Sequence, residues 1–307
     1  MSLTIPHLRL IAPAAGAAVV GAALFLLPQE PAFSDSSAGP LAQATSVSAQ
    51  ATATSPQPVP PPRPVRFYPV DPLFVPYYTT HDGPRVMGCG TSPAQLATLT
   101  CAISPRTTSG GVAAQYFEKA RLEDQRVRNT TGNPAYDFEY GLLVDEMKAI
   151  RSLAPIGGES SDVTYDRIAA ESDPAKRVAP PPNYTGNVAP LPDGGAFIPF
   201  TADLSAAPGH NVPDYFWQYM NRADLFPAGW LHDIGLPTTE TISAIVDKGR
   251  VSGTGEVMRV NNVPIVIQAF QRTILTYDPG NPQGFLVERA NAGTDYSRLF
   301  PQNVPNP

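Results

Sequence analysis

The sequence predicts an α+β fold made of two similar small units, each an antiparallel meander carrying one aromatic-rich helix. Three observations predict it. First, VAAQYFEKARLEDQ (residues 112–125) lies on IVIQAFQRTILTYD (residues 265–278), with Gln115 on Gln268, Phe117 on Phe270, Lys119 on Arg272 and Leu122 on Leu275. Asn-Pro comes after both, at Asn133-Pro134 and Asn281-Pro282, and self-similarity of this kind marks an internal repeat. Second, the later copy is β-branched and alternating, the pattern of strands. The earlier copy alone favours a helix through its Ala, Glu, Lys, Arg and Leu, so the repeat decides for strands in both. Third, VPDYFWQYM places Pro213 where a helix begins and sets Phe216, Tyr219 and Met220 on one face.

In chain order, residues 1–34 open with only His7 and Arg9 charged or basic, run without charge from Leu10 to Leu27 and then turn polar, the pattern of an export signal. Ala32 and Ser34 offer a cleavage site, Ala42 and Ala44 a second. The apolar run is close to the roughly 20 residues that span a bilayer, so a retained anchor stays open beside a cleaved signal. Either places the rest outside the cytoplasm, extracellular or at the cell surface. Residues 35–65 are rich in Ser, Ala, Thr, Gln and Pro, too poor in apolar groups to offset ordering entropy, and read as a disordered tether. Residues 66–150 form the first unit, 151–195 a Gly/Pro/Ser-rich linker with one short helix near Tyr165 to Glu171, and 196–307 the second unit. Asn261-Asn262 supplies a turn ahead of the second hairpin. The two cysteines, Cys89 and Cys101, lie close together in an exported chain and predict a disulfide.

Composition narrows function by exclusion. A net charge of -6 with 16% charged residues lacks the clustered basic face that nucleic acid requires. Membrane contact is expected only through a retained anchor. Four histidines (His7, His81, His210, His232) show no metal-ligand spacing, and no Gly-x-Ser-x-Gly elbow is present, so neither metal nor cofactor is expected. Glu118, Glu123, Asp124, Glu139, Asp145 and Glu146 could supply the carboxylate pair of a glycosidase, although such a density is ordinary on an acidic surface. In WLHDIGLPTTE (residues 230–240), adjacent His232 and Asp233 make a poor dyad because neighbouring side chains diverge. The stretch reads as a structural corner: Gly235 and Pro237 turn, Trp230, Leu231 and Ile234 fill the core, and Thr238 or Thr239 caps the next element while Glu240 answers its amides. Trp217, with Tyr215 and Tyr219 beside it, is the candidate ligand contact, since Phe216 and Met220 should face inward and aromatic rings stack on sugars.

The stretch GHNVPDYFWQYMNRADLFPAGWLHDIGLPTTETISAIV, with IVIQAFQRTILTYDPGNPQGFLVE after it, resembles an extracellular repeat abundant in Chloroflexi. That repeat runs Phe-Gly-x-Pro-x-Thr/Ser-Glu and then Gln-x-Phe-Glu-Arg, for which AQYFEKARLED is the closer match. It is more distantly similar to the LGFP repeats of wall-associated proteins. The resemblance implies cell-surface or wall association and no catalytic residue. The expected function is a non-catalytic secreted or surface module that binds envelope or glycan, with wall or extracellular polysaccharide or other surface proteins as partners. A polysaccharide or cell-wall hydrolase and a self-assembling structural surface protein are the alternatives.

Overall fold

The computed structural model describes residues 59, 64–81, 99–157, 160–182, 184–200, 208–251 and 257–305. The expected signal, most of the expected tether and Cys89 lie outside the described residues. Cys101 is buried, and its pairing with Cys89 stays an expectation.

The fold is mixed α and β, with three antiparallel sheets and six helices among the described residues. It begins with α1 (Val75–His81), followed by the four-stranded sheet β1 (Thr107–Ser109), β2 (Val112–Tyr116), β3 (Arg121–Asp124) and β4 (Phe138–Tyr140), and then α2 (Leu143–Ala149). Next come β5 (Ser160–Ser161), α3 (Tyr165–Glu171), a three-stranded sheet of β6 (Ala189–Pro190), β7 (Ala196–Pro199) and β8 (Gly209–Val212), α4 (Asp214–Met220) and α5 (Trp230–Asp233). The chain closes with β9 (Ile242–Val251), β10 (Val257–Ala269), β11 (Ile274–Tyr277), β12 (Val287–Arg289) and α6 (Ala292–Leu299), whose strands make a five-stranded sheet in the order β12-β11-β10-β9-β5. One helix per unit and two meanders were therefore too sparse an expectation.

Both segments set in register by the sequence are antiparallel hairpins. Gln115 pairs with Leu122 and Tyr116 with Arg121, and Gln268 pairs with Leu275 and Ala269 with Ile274. Each closes on a short turn, in which Phe117 N donates to Ala120 O at 2.8 Å and Phe270 N to Thr273 O at 2.9 Å. The helical composition of residues 112–125 loses because alternate strand residues face opposite sides, and Ala114, Tyr116 and Leu122 are buried there.

The expected turn at Asn261-Asn262 is instead a bulge inside β10. The register with β9 shifts between Val260 and Val263, Asn262 takes φ 55°, and its N–H donates to Asp247 Oδ1 at 2.9 Å. Asn tolerates the left-handed region, and a bulge kinks a strand without ending it.

The five-stranded sheet buries both faces. Val263, Ile265, Ile267 and Ile274 join α2, α3 and α6 in one core, while Phe270, Leu275 and Val287 join β7, β8 and α4 in a second. A third core lies under α1 and includes Phe74, Phe117, Leu122 and Tyr140. The segment expected as a linker gives Ala154, Ile156, Val163, Tyr165 and Ile168 to the first core, and Val59, inside the expected tether, packs against it. The short helix is α3 itself, opened by Thr164 accepting from Arg167 N at 3.3 Å. Among the described residues no helix is long and apolar enough to cross a membrane.

Candidate functional site

A cleft of about 690 Å³ opens beside the first hairpin, within the size range of ligand pockets, roughly 300–1,000 Å³. The alternation of β3 builds its floor: Leu122 turns into the core while Arg121, Glu123 and, past the strand end, Gln125 face the cleft. β4 adds Glu139, α2 adds Glu146, β1 adds hydroxyls, the β10–β11 turn adds Arg272, and α6 adds Tyr296.

Its charges are interlocked. Arg121 Nε donates to Glu123 Oε1 at 2.6 Å and Nη2 to Glu146 Oε1 at 2.7 Å, and Gln125 Nε2 donates to Glu123 Oε2 at 2.9 Å. Arg272 donates to the Glu139 carboxylate and to Tyr140 O, and Arg128 to Gly110 O. A Cβ on Gly141 would stand 2.6 Å from Arg121 Nε, so any other residue there would push the Arg121–Glu123 pair aside. Burial opposes the charge of Arg121, but Glu146 and Glu123 outweigh it and raise its pKa. The Tyr116 and Tyr296 rings stack at 5.4 Å. Burial raises both their pKa values, so both hydroxyls stay protonated near neutral pH. Such an arrangement offers hydrogen bonds of both kinds above two buried aromatic rings.

The three aromatic residues singled out by the sequence are not gathered on one surface. Tyr219 is buried against Phe226 at 5.4 Å. Tyr215 is half-buried and stacks on Tyr277 at 4.1 Å. Trp217 is half-buried with its edge against Trp230 at 5.8 Å. Trp230 is thus the partner of Trp217 and packs half-buried against the second core, while Leu231 is 44% exposed and does not fill the core as expected.

The rest of the stretch is a corner. Gly235 has φ 82°, Leu236 N donates to Gln271 Oε1 at 3.0 Å, and Thr239 Oγ1 accepts from Ala269 N at 3.1 Å. The two threonines tie the corner to β10 instead of capping the next element, and Glu240 accepts from Asn211 N at 3.0 Å. His232 and Asp233, expected to diverge, are hydrogen-bonded at 2.6 Å between Nδ1 and Oδ1. The pair is buried under Tyr136, and among the described residues His232 Nε2 has no hydrogen-bond partner, so none of their hydroxyls stands where a nucleophile would. Among the described residues no group of three or more His, Cys, Asp or Glu could hold a metal ion.

Sequence reasoning weighed Glu123, Glu139 and Glu146 as a glycosidase pair or as ordinary surface charge, and passed over Arg121, Gly141, Tyr116 and Tyr296. The signal was the Arg-x-Glu-x-Gln alternation of residues 121–125, charged and polar on one face where the later copy reads Ile-x-Thr-x-Asp. No family model, curated protein or solved structure matches this chain, so the resemblance to envelope repeats stands on its motifs alone.

Proposed function

We propose that this chain is a non-catalytic, exported or surface-held module whose polar cleft binds a polyhydroxylated, glycan-type ligand of the cell envelope. One observation carries the reading: every carboxylate in the cleft already accepts from a guanidinium. A glycosidase acid needs a carboxyl in surroundings that hold its proton, whereas paired carboxylates and neutral tyrosines suit hydroxyl recognition. The N-terminal run and tether support export, and in that compartment Cys89 pairs with Cys101, which a free-thiol count by mass spectrometry tests. The test of function is retention on purified wall polysaccharide. The unmodified chain should be retained, and Tyr296→Phe, which keeps the buried ring and removes the hydroxyl, should weaken retention by about 1 kcal/mol, the size of one hydrogen bond. An unretained chain would sink the reading and leave self-assembly, read by sedimentation, as the better one.

The same proposal includes an internal duplication of a meander with flanking helices. Matched hydrogen bonds support it. Ile103 N donates to Tyr116 O as Thr238 N does to Ala269 O, and Glu118 N donates to Cys101 O as Gln271 N does to Leu236 O. Gly141 N donates to Arg121 O as Ala290 N does to Ile274 O, after which α2 and α6 begin at matching places. On this alignment the partners of Arg121, Tyr116 and Glu146 are Ile274, Ala269 and Asp295. The Arg121 and Tyr116 side chains that build the cleft thus have apolar counterparts, Ile274 and Ala269, in the later copy.

A further inference from the structure

Three guanidiniums (Arg121, Arg128, Arg272) and three carboxylates (Glu123, Glu139, Glu146) line the cleft, so its formal charges cancel, and Arg121 and Arg272 are both engaged by acids. Arg121 is shared by Glu123 and Glu146, Arg272 is held by Glu139, and Arg128 is turned onto a main-chain carbonyl. We infer that the cleft selects an uncharged saccharide and rejects both uronic acids and amino sugars. This rests on the glycan reading above and adds the class of sugar.

The physical reason is charge balance at close range. An incoming carboxylate would meet three fixed carboxylates whose guanidinium partners are engaged, and the guanidinium without an acid, Arg128, is exposed and screened by water, so the acid would be desolvated without a close counter-charge. An incoming ammonium would meet three guanidiniums in a cleft that carries no net negative charge. A neutral hydroxyl avoids both costs, because it donates to a carboxylate oxygen and accepts from a guanidinium N–H while leaving every ion pair whole. Thr107, Thr108 and Ser109 of β1 and the amides of Gln302 and Asn303 add uncharged partners on the rim. Discrimination then comes from repulsion built against the wrong sugars as much as from attraction to the right one.

Glu139 is the lever. It is the carboxylate that neutralises Arg272, whose other contact is Tyr140 O, and Glu139→Gln keeps an oxygen facing Arg272 while releasing its charge. The experiment is calorimetric titration of the full chain with a neutral oligosaccharide, an oligogalacturonate and a chitosan oligomer, at low and high salt, with melting curves for each variant. The neutral oligosaccharide should bind at least about tenfold more tightly than either charged one, and Glu139→Gln should bring oligogalacturonate up by about tenfold in a salt-sensitive manner. Should Glu139→Gln fail to fold, Glu146→Gln, which half-frees Arg121, carries the same test. Charged sugars binding as well as neutral ones, or a folded variant with unmoved preference, overturns this inference and leaves the glycan reading standing. Binding of no probe overturns both.

Discussion

At the scale of residues, two buried glutamines show how much one missing N–H is worth. Gln115 donates to Pro69 O at 3.0 Å and Ser104 O at 2.9 Å and accepts from Asp71 N at 2.9 Å. Gln268 donates to Asn211 O and Thr239 O, both at 2.9 Å, but its Oε1 has no partner among the described residues. Proline explains the difference: stepping two residues from Pro69 gives Asp71, and two from Asn211 gives Pro213, which has no N–H to donate. Removing Gln115 strands one more main-chain group than removing Gln268, and Gln268 already carries an unpaired oxygen. Gln115→Met should therefore cost about 1–2 kcal/mol more than Gln268→Met, measured as the shift in urea midpoint. Equal costs would mean that the orphaned oxygen is satisfied by water.

At the scale of elements, the second hairpin and the start of α6 show what pattern can and cannot reveal. The hairpins were legible because alternation and a matched copy pointed the same way. α3 was legible because a short apolar-polar run stood alone in Gly, Ser and Pro. The contribution of residues 151–195 to the core was not, since Ala154, Ile156 and Val163 are single apolar residues whose partners are distant in sequence. Nor was the cleft, because Arg121 and Glu146 are separated by a strand and a turn and become partners only when β3 and α2 pack. The His232–Asp233 bond was hidden by a rule for regular helices that the four-residue α5 does not obey. Docking of α6 depends on one glycine. A Cβ on Gly293 would fall 1.8 Å from Phe117 O, and beside it Thr294 N donates to Glu118 O at 3.0 Å. Main chain cannot yield as a flexible side chain can, so Gly293→Ala should cost about 3 kcal/mol and lower the melting temperature. An unchanged melting curve would show that α6 is not fixed against the first hairpin.

At the scale of the whole molecule, the core that joins α2, α3 and α6 to the five-stranded sheet carries an acid whose titration sets part of the pH dependence of folding. Tyr165 of α3 donates to Asp295 Oδ2 of α6 at 2.8 Å. Burial raises the Asp295 carboxyl from 3.8 to about 6, with the Tyr165 hydroxyl and Arg298 only partly opposing it. The folded chain therefore holds this proton more tightly than the unfolded chain does. Its contribution to stability is fully present below pH 3.8 and is lost as pH rises through about 6, where the buried carboxylate ionises. Asp278 works the other way: burial raises it, but Arg250, the Gly280 amide and Lys248 outweigh that and lower its pKa, so its contribution is lost as pH falls. The two trends overlap in the wild type, and a single substitution separates them. Asp295→Asn removes the titrating group and keeps an oxygen for Tyr165. A shift of two units corresponds to about 3 kcal/mol, and because Asp295 is only half-buried by surface area the observable part should be about 1–2 kcal/mol. Urea midpoints should thus place Asp295→Asn above the wild type at pH near 8 and let the two converge near pH 4. A constant gap across that range would mean that Asp295 titrates like an exposed carboxylate and that the α3–α6 contact carries no proton-linked energy.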